Sequence, residues 1–114
     1  IADDDLLQQI RNNCVSIEEL HMRWCYANAN KGIRDLIPTL RNSLCLSLAG
    51  CKIGDLELES IGRNGNLKNL NLSFCREITD AGIKIMLKNL PGLTHLKLLG
   101  SSKVGNETIL LSLF

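Results

Sequence analysis

Cys25, Cys51 and Cys75, together with His21, His95 and the run Asp3-Asp4-Asp5, are among the residues of this chain with the most reactive side chains. Thiols and imidazoles can hold zinc, a thiolate can act as nucleophile or redox centre, and clustered carboxylates can hold a cation. Spacing decides among these chemistries. The three cysteines are separated by 26 and 24 residues, and Ser101 stands a further 26 residues on. A tetrahedral metal site needs ligands that converge on one point. One cysteine per copy of a repeat gives a column instead, so these thiols read as small, weakly hydrogen-bonding residues filling equivalent interior corners.

The copies around the column are Ile17-Glu-Glu-Leu20-His-Met22-Arg-Trp-Cys25, Ser43-Leu44-Cys45-Leu46-Ser-Leu48-Ala-Gly-Cys51, Leu67-Lys-Asn-Leu70-Asn-Leu72-Ser-Phe-Cys75 and Leu93-Thr-His-Leu96-Lys-Leu98-Leu-Gly-Ser101. Their period falls in the range of about 20 to 29 residues that marks leucine-rich repeats. A second shared block follows each slot: Gly32-Ile33, Ile53-Gly-Asp55, Ile78-Thr-Asp80-Ala-Gly82-Ile83 and Val104-Gly-Asn106. Ile1-Ala-Asp3, followed by Leu6, Ile10 and Cys14, matches the same block, so the chain begins inside a repeat.

Taken together, Leu-x-x-Leu-x-Leu-x-x-Cys-x-x-Ile-Thr-Asp-x-Gly-Ile resembles the cysteine-containing subfamily of leucine-rich repeats found in F-box proteins and their relatives. Residues 67–92 match almost slot for slot, residues 1–25 match well, and 93–114 match with Ser101 and Asn106 in place of Cys and Asp. Residues 26–66 depart most, with one residue missing between Cys51 and Ile53. The resemblance implies an α/β fold: a right-handed solenoid with a curved parallel sheet on its concave face, helices on its convex face and about four strand-bearing repeats.

The residues specify the same elements. Leu20/Met22, Leu46/Leu48, Leu70/Leu72 and Leu96/Leu98 alternate with polar neighbours at period two, as half-buried strands require. Between strands the apolar spacing turns helical, at Leu6/Ile10, Ile33/Leu36/Leu40, Leu58/Ile61, Ile83/Met86/Leu87/Leu90 and Ile109/Leu110/Leu113. Asp3, Asp55, Asp80 and Asn106 stand just ahead of these helices, where a short polar side chain can cap free amides. Pro38 is expected to shorten or bend its helix, and Pro91-Gly92 to end the helix of residues 81–90.

The 114 residues form a single repeat domain, read as a portion of a longer protein because Ile1 lies inside a repeat and the chain stops at apolar Leu113-Phe114. Either adjoining sequence or a partner is expected to cover those ends. Hydrophobic residues make up 45% and aromatic ones 4%, which calls for an aliphatic core. A formal net charge of +1 argues against nucleic acid as partner, although Lys84, Lys88, Lys97 and Lys103 make the C-terminal half mildly basic. No apolar run approaches the roughly 18 residues of a membrane span. The odd cysteine count and repeat-set spacing favour reduced thiols in the cytoplasm or nucleus, with the mitochondrion as the alternative.

No catalytic, cofactor-binding or metal-ligating set is expected. His21 and His95 lie three repeats apart without a matching nucleophile and acid, and Asp3-Asp4-Asp5 reads as a charged helix start. Gly62-Arg-Asn-Gly65 and Gly100-Ser-Ser-Lys103 lack the spacing of a phosphate loop and read as turns. Trp24 and Phe74 share a column with Gly50 and Gly100, an alternation that suggests packing at the strand edge over a binding platform. Cys45 precedes Leu46, so alternation turns it to the concave face as an accessible bystander thiol.

The same alternation directs Glu19, His21, Arg23, Cys45, Ser47, Ala49, Asn69, Asn71, Ser73, His95, Lys97 and Leu99 outward on the strand face. Of these, Glu19, His21, Arg23, Ser47, Asn69, Asn71, Ser73, His95, Lys97 and Leu99 are the expected contacts for a protein partner. A shallow mixed surface suits a protein better than a small molecule. The resemblance implies a protein-interaction scaffold similar to the substrate-recognition repeats of ubiquitin-ligase adaptors, reaching F-box and Skp1-type machinery through sequence outside this chain. The alternative it implies is a structural subunit of a large assembly, as for the similar repeats of mitochondrial ATP synthase coupling factor B.

Overall fold

A computed structural model describes residues 7–10, 17–24, 30–101, 103 and 105. Four three-residue strands, β1 (Glu19–His21), β2 (Cys45–Ser47), β3 (Asn69–Asn71) and β4 (His95–Lys97), form one parallel sheet in chain order. The register pairs Leu20 with Leu46, Leu46 with Leu70 and Leu70 with Leu96, so each inward leucine meets its counterpart in the next copy. Backbone pairing continues past the strands: Met22, Leu48 and Leu72 amides donate to Ser47, Asn71 and Lys97 carbonyls at 2.8–2.9 Å. Such one-sense stacking is possible only with a crossover between neighbours. Those crossovers carry α1 (Asn30–Leu36), α2 (Asp55–Gly62) and α3 (Asp80–Lys88), while residues 7–10 are also helical.

The core lies between sheet and helices and is almost entirely aliphatic. Leu46, Leu48, Leu70 and Leu72 from the sheet meet Ile33, Leu36, Leu58, Ile61, Ile83 and Met86 from the helices, all buried. Leu20 and Leu96 are only half-buried because each flanks just one neighbouring strand. At the N-terminal end Leu7 is fully buried, with Ile10 packed against the same core; Leu6 lies outside the described residues. Helix α1 stops at Leu36, and Pro38 sits in the 3-10 turn Ile37–Thr39 that follows, as the missing proline amide dictates. Helix α3 ends at Lys88, two residues before the expected 90.

The capping expectation needs correction. Asp55 and Asp80 are the first residues inside their helices; the caps are Gly54 and Thr79. Thr79 Oγ1 accepts from the Gly82 amide, whereas Gly54 has no side chain and instead donates its amide to Glu57 Oε1 at 2.7 Å. Asp55 reaches into the next copy. Its carboxylate accepts from the Thr79 amide at 2.9 Å and the Thr79 hydroxyl at 2.6 Å, and Asp80 accepts from the Gly105 amide at 2.8 Å. A carboxylate holding two donors is a charge-assisted clasp, stronger than a neutral pair. Asp3 and Asn106 lie outside the described residues.

The cysteine column forms a second clasp between copies. Cys51 Sγ donates to Met22 O at 3.4 Å, Cys75 Sγ to Leu48 O at 3.1 Å, and Ser101 Oγ to Leu72 O at 2.8 Å. Each bond joins a slot to the strand end of the preceding copy. Ser101 thus replaces cysteine by keeping its donor, which explains why that slot tolerates both residues. Cys45, Cys51 and Cys75 are reduced, and Cys14 and Cys25 lie outside the described residues. Burial pushes the Cys75 thiol up to about 11, with the Cys51 and Gly50 backbones opposing the rise.

Candidate protein-interaction face

Because the sheet is parallel and in register, its outward side chains form rows running across the four strands. Glu19, Cys45, Asn69 and His95 make one row, and His21, Ser47, Asn71 and Lys97 the next. Together with Arg23, Leu46 and Leu70 most of them line a shallow depression of about 270 Å³. Its ends are charged and exposed: Glu19, His21 and Arg23 on one side, His95 and Lys97 on the other. The middle is lower. Asn69 and Asn71 are half-buried, and Ser47 and Ser73 are buried at 4% and 6% exposure. Leu99 stands beyond the rows at 72% exposure.

Few of these groups are occupied by the fold. Asn71 Oδ1 accepts from the Ser73 amide at 2.9 Å, and Thr94 Oγ1 lies 2.9 Å from His95 Nδ1. The Ser47 hydroxyl is buried with no hydrogen-bond partner among the described residues. Burial pushes the Cys45 thiol up, reinforced by the Glu19 charge and a hydrogen bond to its carboxylate, while Lys97 pulls the other way. Glu19 Oε1 also lies 3.8 Å from His21 Nε2. The sequence reading placed Cys45 on this face but treated it as a bystander. The frame that pairs Leu20 with Leu46 also pairs Glu19 with Cys45, and that was the available signal.

The strand-edge aromatics form a different surface. Trp24 and Phe74 adopt positive φ of 59° and 61°, matched by Gly50 at 73° and Gly100 at 71° in the same slot. Trp24 lies directly over Gly50 and Phe74 over Gly100, with no space for a Cβ at either glycine. The two rings stack at 6.0 Å between centroids and 25° between planes. Alternation of large and absent side chains is therefore an edge packing device. Trp24 nevertheless remains 62% exposed above a cavity of about 410 Å³ bordered by Lys52, Arg76 and Glu77.

Behind the sheet, Glu57 is buried and meets Arg34 Nη1 at 2.8 Å. Sequence reading passed over this pair, since its partner comes from the preceding crossover. Asn64, fully buried in the Gly62–Gly65 turn, donates to Ile37 O at 3.2 Å and Leu40 O at 2.9 Å. That turn ties its copy to the preceding one through Asn64.

No family model matches this chain. Among solved structures it is similar to the leiomodin-1 actin-binding site 2, with a TM-score of 0.71 and 19% identity over 93% of this chain and 67% of that one. It also resembles a chain of the yeast Rad7–Elc1 complex, with a TM-score of 0.56 and 17% identity, covering 93% of this chain and 35% of that one. The tropomodulin C-terminal domain of Caenorhabditis elegans matches at 0.50 and 15% identity, covering 97% and 89%. Identities this low speak to architecture alone. The four-stranded parallel sheet with its helical crossovers is a leucine-rich-repeat-type α/β solenoid.

Proposed function

We propose that this chain is a protein-interaction scaffold whose partner docks on the concave strand face. One observation carries the reading: the outward rows hold a different residue type in nearly every copy, while the inward and clasp positions repeat. Positions released from folding duty in this way can specify a partner. The charged ends with a low polar centre fit a protruding polar segment of a protein, since interfaces of this kind combine a desolvated middle with a charged rim. The similar structures support the class, one being an actin-binding site of leiomodin-1 and another a chain of the Rad7–Elc1 complex.

A finer version follows from the repeat resemblance, namely substrate recognition for an F-box and Skp1-type ubiquitin ligase. Affinity capture from cells, run in parallel with an actin-binding assay, separates the versions. Capture of Skp1-type and ligase components supports the adaptor role; direct binding to purified actin supports a cytoskeletal partner instead. In either case the triple variant His21→Ala, Asn71→Ala, Lys97→Ala should lose the partner while remaining folded. A partner held equally well by that variant would refute the concave-face reading.

A further inference from the structure

The concave face gathers, at its β1–β2 end, three side chains whose donor atoms suit one ion. Glu19 and His21 are two residues apart on β1 and so project from the same face, and Cys45 is the direct cross-strand neighbour of Glu19. A carboxylate oxygen, an imidazole nitrogen and the thiol sulfur all lie within 4.8 Å of one another. We infer that Glu19, His21 and Cys45 form a binding site for a zinc-class divalent transition-metal ion. This site does not depend on whether the face also binds a protein.

The donor set selects the ion. Thiolate disfavours magnesium and calcium, carboxylate disfavours copper(I), and zinc accepts sulfur, nitrogen and oxygen donors alike. Donors around a tetrahedral zinc ion lie about 3.3 to 3.8 Å apart given its bond lengths, so side-chain rotation of about 1 Å closes the set. Glu19 and His21 are exposed and Cys45 half-buried, which leaves them that freedom on a fixed backbone. An independent observation lies beside the cluster. Ser47, opposite His21 in the register, lines the same depression; the residue is 4% exposed and its hydroxyl has no partner among the described residues. A metal-bound water, or the imidazole once oriented by a metal, would give that hydroxyl the partner it lacks.

On binding, the Cys45 S–H bond breaks, sulfur keeps the electron pair as a ligand, and the proton leaves to solvent; no atom changes oxidation state. His21 coordinates as neutral imidazole and Glu19 as carboxylate. A fourth ligand could be water or a donor from a docked protein. Burial and then Glu19 raise the thiol and Lys97 lowers it, with His95 and Arg23 the other charged or titratable groups bordering the depression. Affinity should therefore rise with pH as the thiol ionises.

Cobalt(II) titration of the whole chain, under reducing and chelator-free conditions, is the test. The expected result is one equivalent bound, with thiolate-to-cobalt charge-transfer absorption that zinc displaces. Cys45→Ser should abolish that absorption, and His21→Ala and Glu19→Gln should each weaken binding by about tenfold or more. Circular dichroism should show all three variants folded, since each side chain projects from the sheet. Absence of the charge-transfer band in the unaltered chain would overturn the site, as would its full retention in Cys45→Ser, which would assign the metal to another thiol.

Discussion

The interior clasps and the concave rows belong to the same repeats yet follow opposite rules. At the clasps, successive copies carry the same chemistry in the same place: Cys51, Cys75 and Ser101 each donate to a strand-end carbonyl one copy back, and Asp55 and Asp80 each accept an amide one copy on. In the concave rows, one slot holds His21, Ser47, Asn71 and Lys97. Repetition marks what each copy owes its neighbours. Variation marks surface that the fold leaves to other uses, and this contrast is what directs the functional reading to the sheet face.

Substitutions can break or sharpen the contrast. The largest effect is expected from Leu70→Ala at the centre of the sheet, where a 2%-exposed side chain packs between the leucines of both flanking strands. Losing its methyl groups should cost about 2–5 kcal/mol in denaturant unfolding. Next comes Asp55→Ala, which removes two charge-assisted bonds to Thr79 and should cost about 1.5–3 kcal/mol. Gly82 offers a sharper check on that clasp. A Cβ there would collide with the Asp55 carboxylate, so Gly82→Ala should destabilise the native chain and do so measurably less when Asp55 is already alanine.

Cys75→Ala should cost about 1–2 kcal/mol, since the lost bond leaves Leu48 O with its Cys51 amide and creates only a small void. Cys75→Ser, which copies Ser101, should cost less. The thiol also carries a pH signature: its folded value is raised from 9.0 to about 11. The native state therefore holds the proton more tightly than the unfolded chain, so this contribution is complete below about pH 9 and lost as pH rises to 11. Melting curves from pH 8 to 11 should show a steeper alkaline decline for the native chain than for Cys75→Ser. The smallest effects belong to the concave face, where His21→Ala and Lys97→Ala should change stability by less than about 0.5 kcal/mol.

Strand positions, inward leucines and the helix faces of the described copies were legible in the sequence because period two and helical spacing are local signals; Ile109, Leu110 and Leu113 lie outside the described residues. Pro38 and Pro91 were legible for the same reason, through the amide each lacks. Asp55 was misread as a local cap because its position ahead of an apolar run fits that rule, whereas its real partner, Thr79, belongs to the next copy. Glu57 with Arg34 and Asn64 with Leu40 were missed on the same ground. For the outward rows, alternation says only which way a side chain starts. The burial of Ser47 and Ser73 depends on longer neighbours across the strands, and the meeting of Glu19, His21 and Cys45 depends on cross-strand register.

Site-specific photo-crosslinking tests the central claim that the partner lies on the varied face. A crosslinking residue placed at His21 or Lys97 on the sheet, and at Leu56 or Glu59 on the outer side of α2, should be compared in cells under identical illumination. The account predicts that the sheet positions capture a discrete protein and the helix positions do not. Capture confined to Leu56 and Glu59 would contradict it and move the interface to the convex side.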